Sequence, residues 1–520
     1  MKRLIVVILL IAVVGITFSC SKKESRKVRM QAGEALGRVV VLGFDGLEPT
    51  LVRKWVKQGY LPTFERVMKE GAFGDLITVL PPSSASAWTS AVTGVNPGKH
   101  GIYGFLNTSS PTVSDEPVFN TSRDRGFRPV WDVLGEYGRK SCIVNIPLSS
   151  PADSLDGLMI AGFPHASEDK RSYYYPPSLD KILGDYTFDA FRVTCAKNRE
   201  ERFLTKMQAI ASKRLNLGLH LFEQDDWDLY WLVFTFPDRY QHYLWKYMDT
   251  NHPMYDPVNG PIYGDKILQA YIQADHYLDE YLKRLREDDL LILMSDHGFG
   301  HLYYTINTNN FIHRTLGTND NVHCADFFGG KFMITVDGPN AEEKYLSIRN
   351  RLIEGLKTLV DPVSGAAIID SIYLKEEIYK GPYVSTAPDI MCFERPGYLL
   401  FSLPNTPDLR LIDAGPQPDK GFSGFHRRHG TYALMGKNVK PGATGDARIV
   451  DVAAVIYSYL GVPAPAELDG RIPAALFKDD SAGTMRLVKS DETGYKRPTV
   501  LANQDSETME SQLRAVGYIQ

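Results

Sequence analysis

The chain has 520 residues, 43% apolar and 23% charged, an ordinary balance for a globular protein and enough length to bury a large core. Its 58 Lys and Arg against 62 Asp and Glu leave a net charge of -4, which excludes a basic field of the kind that holds nucleic acid. One domain with insertions, or two domains, is expected at this length.

Lys2 and Arg3 precede an apolar run from Leu4 to Phe18, too short for a comfortable membrane span. The run ends at Ser19-Cys20-Ser21-Lys22, where a small residue before a lone cysteine resembles a bacterial lipoprotein cleavage site. Residues 1–20 therefore read as a signal peptide with a lipidated Cys20, and 21–36 as a polar linker. The expected location is a bacterial membrane surface, periplasm-facing or outward, reached through the lipid anchor. Thr17 and Phe18 depart from the usual lead-in, so ordinary cleavage or an uncleaved anchor stay open as alternatives. The remaining cysteines, Cys142, Cys195, Cys324 and Cys392, lack CxxC spacing and do not suggest a thiolate metal site; in an oxidising compartment they allow three pairings. Cys142 lies in an apolar run, where a buried free thiol is the default.

From residue 38 short apolar runs alternate with helical patterns, the signature of a mostly parallel sheet covered by helices. Strands are predicted at 38–44, 141–147, 229–236, 289–295, 331–336, 388–394 and 430–435. Helices are predicted at 48–70, broken near Gly59 before Pro62, and at 86–93, 199–223 and 264–287, the last two with a clear apolar stripe. Residues 150–200 read as a long ordered loop, 302–424 as a cap or secondary lobe, and Leu513–Ile519 as a segment able to dock as a terminal helix.

Acidic and imidazole side chains stand at strand ends. Asp45 closes the run 39–44 and is flanked by glycines that let the backbone turn; alone it also reads as a helix N-cap. Asp238 follows the run 232–236, and His242, four residues on, shares its face on a helical turn. Asp296 and His297 follow 291–294, with Gly298 and Gly300 permitting an irregular loop in which neighbours converge. His426 and His429 come late, just before the 430–435 run. Ligands at the carboxyl ends of several strands are where open α/β sheets hold them, and Asp with neutral His suits borderline divalent metals, so the set points to a two-metal hydrolytic site. Between Pro81-Pro82 and Thr93-Gly94, the serines Ser83, Ser84 and Ser86 sit at a helix start, which favours a phosphate group. Lys99 and His100 lie in a Pro-Gly-Lys-His-Gly turn that reads as structural.

These motifs, over roughly 38–475, resemble the alkaline-phosphatase superfamily, and within it the type I phosphodiesterase/nucleotide pyrophosphatase branch. The resemblance implies a three-layer α/β/α sandwich with a mostly parallel central sheet and an inserted cap lobe. It implies a catalytic domain over 37–480, with insertions at about 150–200 and 302–424, and a tail over 481–520. It implies two zinc ions, one held by Asp45, Asp296, His297 and Ser84, the other by Asp238, His242 and His426; manganese suits the same donors. Counting back from Thr93-Gly94 places Ser84 on the nucleophile, where the branch has threonine, with Ser83 and Ser86 as fallbacks.

Ala87 stands where nucleotide pyrophosphatases carry a phosphate-touching asparagine, which weakens a claim to nucleotides, and the sulfatase pattern is absent. The implied activity is hydrolysis of a small phosphorylated substrate through a phosphoserine. A phosphomonoesterase or phospho-head-group transferase fits the same motifs, as does a lipid-anchored binding protein without turnover.

Overall fold

The computed structural model describes residues 32–108, 118–165, 169–188, 195, 198–325, 330–408, 410–414, 422–478, 485–488 and 506–516. The signal segment, Cys20 and most of the linker lie outside these residues. Among the described residues, no helix is long and apolar enough to cross a membrane.

The chain enters through strand β1 (Val39–Phe44), helices α1 (Pro49–Lys57) and α2 (Pro62–Glu70), strand β2 (Ala72–Ile77) and helix α3 (Ser84–Thr93). Then come α4 (Val130–Glu136), β3 (Ser141–Val144), β4 (Gly157–Ile160), α5 (Glu200–Gln224), β5 (Leu229–Phe234), α6 (Phe236–Met248), α7 (Lys266–Leu282) and β6 (Leu290–Met294). A second region follows, with β7 (Gly298–Asn307), α8 (Thr308–Leu316), β8 (Val322–Cys324), β9 (Gly330–Ile334), α9 (Ala341–Lys357), β10 (Ile369–Leu374), β11 (Ile390–Glu394) and β12 (Gly397–Phe401). The chain returns through β13 (Gly424–Arg427), β14 (His429–Met435), α10 (Asp451–Tyr459) and α11 (Ser506–Val516).

The central sheet runs β2-β14-β6-β1-β5-β3-β4, with shorter strands at both edges. Strands β6, β1, β5, β3 and β4 are mutually parallel, while β14 runs antiparallel to both β6 and β2. Strand side chains alternate, so β1 feeds two cores. Val40, Leu42 and Phe44 join the apolar cluster that includes Trp55 of α1, Phe64 of α2, Leu221 of α5 and Leu278 of α7. Val39 and Val41 join the opposite cluster, with Trp88 of α3, Trp131 of α4 and Ile456 of α10. The result is the three-layer α/β sandwich expected from the alternation of runs and helices.

Strands β8 to β11 form a separate four-stranded antiparallel sheet, and its apolar side packs Phe311 and Ile312 of α8 and Leu352 and Leu356 of α9. The predicted strands 331–336 and 388–394 belong to this sheet. Three details depart from the sequence reading. The stretch 150–200 contributes β4 to the central sheet, because Leu158, Met159 and Ile160 pair in parallel with Cys142–Val144. β2 and β7 were not expected, since the alternation of apolar residues in 72–77 is short and 298–307 is glycine- and tyrosine-rich. The terminal helix begins at Ser506, ahead of the expected Leu513. Its Met509 and Leu513 enter the core, and Gln512 accepts the His165 N–H at 2.6 Å. The four cysteines are unbridged, and Cys142 is buried as a free thiol.

Leu513 is 1% exposed, so Leu513→Ala is expected to lower the free energy of unfolding by about 2–4 kcal/mol. Urea denaturation checks this. A change within about 0.5 kcal/mol, the range of a surface substitution, would mean that the tail is not docked.

Candidate active site

Strand order places three carboxylates side by side. β1 lies between β5 and β6, with Phe44 opposite Phe234 and Gly43 opposite Met294. Asp45 follows β1 directly, Asp296 follows β6 after one residue, and Asp238 stands in the first turn of α6, which begins just after β5. All three therefore emerge at the carboxyl edge of the sheet.

The imidazoles and the serine come to the same edge. His297 Nε2 lies 3.6 Å from Asp45 Oδ1, 3.3 Å from Asp296 Oδ2 and 3.3 Å from Ser84 Oγ. Asp238 Oδ1 lies 3.3 Å from Nε2 of both His242 and His426, whose Nε2 atoms are 3.1 Å apart. His242 stands one turn after Asp238 on α6, as their spacing requires. His426 precedes β14, as expected, and itself lies within the short strand β13, which pairs antiparallel with β7. His297 joins the two groups, since Asp238, His297 and His426 also offer ligand atoms within 4.8 Å of one another. None of the seven side chains is more than 5% exposed.

The polar bookkeeping of these groups is incomplete without a cation. Each histidine places Nδ1 on a backbone carbonyl: His242 on Gly424 at 3.0 Å, His426 on Pro82 at 3.0 Å and His297 on Gly298 at 3.1 Å. A carbonyl only accepts, so Nδ1 carries the proton and Nε2 presents a bare lone pair to the site. Asp45 Oδ1, Asp238 Oδ1 and Asp296 Oδ2 are buried without a hydrogen-bond partner. Burial, and then the neighbouring carboxylates of Asp296 and Asp238, push the Asp45 carboxyl well above its usual range. Burial and Asp238 push Asp296 up to about 7. Burial lowers His297, and burial with His297 beside it lowers His426 to about 3, so His426 is neutral at physiological pH. Unpartnered carboxylate oxygens facing imidazole lone pairs are the donor set of a divalent metal, and the residues fit one.

Ser84 is the first residue of α3, and its Oγ faces His297; the fallback Ser86 is occupied, donating to the carbonyls of Pro81 and Ser83. Lys99 is tied to Asp469, and His100 is buried against Ser90, both away from the ligand groups. His301 stacks on Tyr303 and His429 bonds Asp75 at the surface, so neither supports a ligand directly.

Several supporting side chains surround the site, and of them only Gln241, beside Asp238 and His242, was expected there. Trp88 donates its indole N–H to Asp45 Oδ2 at 3.2 Å; its ring packs over Gly43, where a Cβ would stand 2.6 Å from the indole. Ser295 accepts the Leu47 N–H and donates to the His297 carbonyl, stapling two ligand loops. Glu48 caps α1 and accepts the Phe299 N–H, and Gln241 donates to the Gly46 carbonyl while accepting from Tyr271. Gly46 has φ +70°, and a Cβ there would meet Asp238 Cα at 3.0 Å. Of the rest, only the Glu48 N-cap before Pro49 had a local signal.

A family model described as Type I phosphodiesterase / nucleotide pyrophosphatase matches residues 39–430. No curated protein matches the sequence. Among solved structures, phosphonoacetate hydrolase from Sinorhizobium meliloti, in complex with phosphonoformate, is 15% identical with TM-score 0.54, covering 82% of this chain and 97% of that one. An inactive variant of murine ectonucleotide pyrophosphatase / phosphodiesterase 5, in complex with AMP, is 16% identical with TM-score 0.51, covering 82% and 96%. At these identities the likeness is one of fold.

Asp296 gives the pH dependence of stability its sign. Its carboxyl ionises near 3.8 in the unfolded chain and near 7 in the fold, so between those values only the folded chain holds the proton. From this group, stability of the metal-free protein falls as pH rises through that window, and a cation that favours the ionised form reverses the loss. Thermal melts of chelated protein at about pH 5 and about pH 8 check this, with zinc raising Tm more at the higher pH. An equal rise at both would contradict it.

Proposed function

The chain belongs to the type I phosphodiesterase / nucleotide pyrophosphatase family and is a phosphoric-ester hydrolase, and from that premise we propose that it cleaves small phosphodiesters through a phosphoserine on Ser84. In this reading Asp45, Asp296, His297 and Ser84 hold one divalent ion, and Asp238, His242 and His426 hold a second. Zinc suits these donors best, and manganese is accepted by the same set. The observation that carries the reading is the meeting of Ser84 Oγ, three unpartnered carboxylate oxygens and three imidazole Nε2 atoms in one buried space. When bound, the ions would supply Lewis-acid charge that eases ionisation of the serine and stabilises the departing oxygen.

Ser84 lies at the positive end of a ten-residue helix, which favours a phosphate group and a developing oxyanion. Of the first-turn N–H groups, Ala87 is already bonded to the Ser83 carbonyl, leaving those nearer Ser84 to face a substrate oxygen. They take up the role that Ala87 has no side-chain amide to perform. In the first step the Oγ–P bond forms as the P–O bond to the leaving alcohol breaks, and the proton lost by Ser84 departs with the alcohol. In the second, a water oxygen replaces Oγ on phosphorus and the serine regains a proton. The displacement is in line, so the departing oxygen lies opposite Ser84, toward the Asp238–His242–His426 group. The first twenty residues support an exported protein anchored through a lipid on Cys20.

Purified full-length protein is expected to carry about two divalent ions per chain and to release p-nitrophenol from bis-p-nitrophenyl phosphate. Ser84→Ala should reduce turnover by at least about a thousandfold while keeping the metal. Acid-quenched wild type should show, by mass spectrometry, a peptide spanning Ser84 that carries a p-nitrophenyl phosphoryl group. Full activity in Ser84→Ala would move the nucleophile elsewhere, and metal-loaded protein without turnover would make the chain a binding protein.

A further inference from the structure

Trp88 stands on the face of α3 that carries Ser84, one helical turn further along, and is buried completely. Its ring lies over Gly43 of β1, where a Cβ would stand 2.6 Å from the indole; a glycine inside an apolar strand marks a close approach of this kind. Through that gap the indole N–H reaches Asp45 and donates to Oδ2 at 3.2 Å. Oδ1 of the same carboxylate is left without a hydrogen-bond partner, 3.6 Å from Nε2 of His297. We propose that Trp88 is a positioning residue that makes Asp45 a one-oxygen ligand, and so shapes its group for a four-coordinate ion such as zinc against cations that take more oxygens. This assignment presupposes the metal-binding reading above.

A carboxylate can grip a cation with one oxygen or with both. At Asp45 an N–H donor from the chain already occupies one of them. Asp296 is arranged in the same way: Oδ1 accepts the Gly46 N–H at 3.2 Å, and Oδ2 has no hydrogen-bond partner. Each acid of this group thus keeps one oxygen for the chain and turns the other to the site. Asp45 Oδ1, Asp296 Oδ2, His297 Nε2 and Ser84 Oγ then make four donor atoms, the number zinc takes in a tetrahedron. Manganese favours six oxygen-rich donors, and a second Asp45 oxygen would suit it.

Packing alone does not account for this bond. Trp88 fills the core beside Val39 and Val41, a task that a phenyl ring shares in large part. Nor does burial in this core force an indole N–H onto a partner: Trp231 of β5 belongs to the same cluster, and its N–H is buried without a hydrogen bond. The Trp88 N–H instead meets a carboxylate oxygen of the metal group, at the one position of β1 that has no side chain. Because Ser84 and Trp88 share a helix, the same rigid element sets both the serine and the Asp45 carboxylate against His297.

Zinc and manganese binding to the full-length protein, measured by competition with a chelating dye, tests this in wild type, Trp88→Phe and Gly43→Ala. Phenylalanine keeps a ring in the core and removes the N–H; alanine keeps the N–H and pushes the indole off Asp45. In each variant one zinc ion is expected to bind about tenfold more weakly or worse, while the other stays within about twofold. Manganese should stay within about twofold throughout, so the preference for zinc at the altered group drops about tenfold. Unchanged zinc affinities overturn the assignment, and so do zinc and manganese weakened alike, the mark of a site merely disordered. Zinc-loaded crystals of the wild type decide without any variant: Asp45 Oδ2 is expected to stay on the Trp88 N–H with Oδ1 alone on the ion. An Asp45 that grips the ion with both oxygens overturns the role of Trp88 and leaves the metal reading intact. Protein that takes up no zinc overturns the metal reading itself, and the role of Trp88 with it.

Discussion

Three aspartates that follow neighbouring strands each bury a carboxylate oxygen without a hydrogen-bond partner, and the rest of the site follows from that constraint. Removing an ionised carboxylate from water without a partner costs several kcal/mol per group by the usual estimates. Asp45, Asp238 and Asp296 do this together at one sheet edge, and burial with mutual repulsion moves Asp45 and Asp296 upward. The imidazoles relieve only one of them: against the burial that would raise it, His242 and then His426 hold the Asp238 carboxyl well below its usual range, while each Nδ1 is committed to a carbonyl. Proton uptake by Asp296 below about pH 7 is one way to neutralise such a cluster, and a divalent cation is another. The same charge would prepare Ser84, so stability and reactivity share a cause.

Holding those donors in place takes hydrogen bonds from residues that do no chemistry. Trp88 steers Asp45 from across Gly43, Ser295 joins the Leu47 and His297 backbones, and Gln241 with Tyr271 ties α6 to the turn after β1. Each loop that carries a candidate donor is thus braced by an element that carries another. The second sheet adds a wall beside His426 that the catalytic layers alone do not provide, and it puts a buried lysine and an acid there.

How much of this was legible beforehand varied with the kind of signal. The buried parallel strands announced themselves as runs such as Val39–Phe44 and Leu290–Met294, because strands covered on both faces are apolar throughout. The candidate donors were legible because they follow those runs, and the Asp238–His242 spacing because one helical turn fixes it. Residues 72–77 and 298–307 were missed as strands, since Asp75 and the glycines and tyrosines of the second segment break any simple period. His426 was placed at the right point of the chain, ahead of β14, but its own short strand was not foreseen, because the pairing of β13 with β7 joins residues distant in sequence, such as His426 and Phe299. Trp88, Ser295 and Tyr271 were out of reach because their roles are hydrogen bonds across 43, 248 and 223 positions, which no local pattern encodes.

The most direct test of the central claim is diffraction from zinc-loaded crystals of the full chain, with anomalous differences collected at the zinc edge. Two peaks are predicted, one among Asp45, Ser84, Asp296 and His297 and one among Asp238, His242 and His426. A map with no peak at either group, or with aspartate oxygens turned away to other donors, would contradict the account.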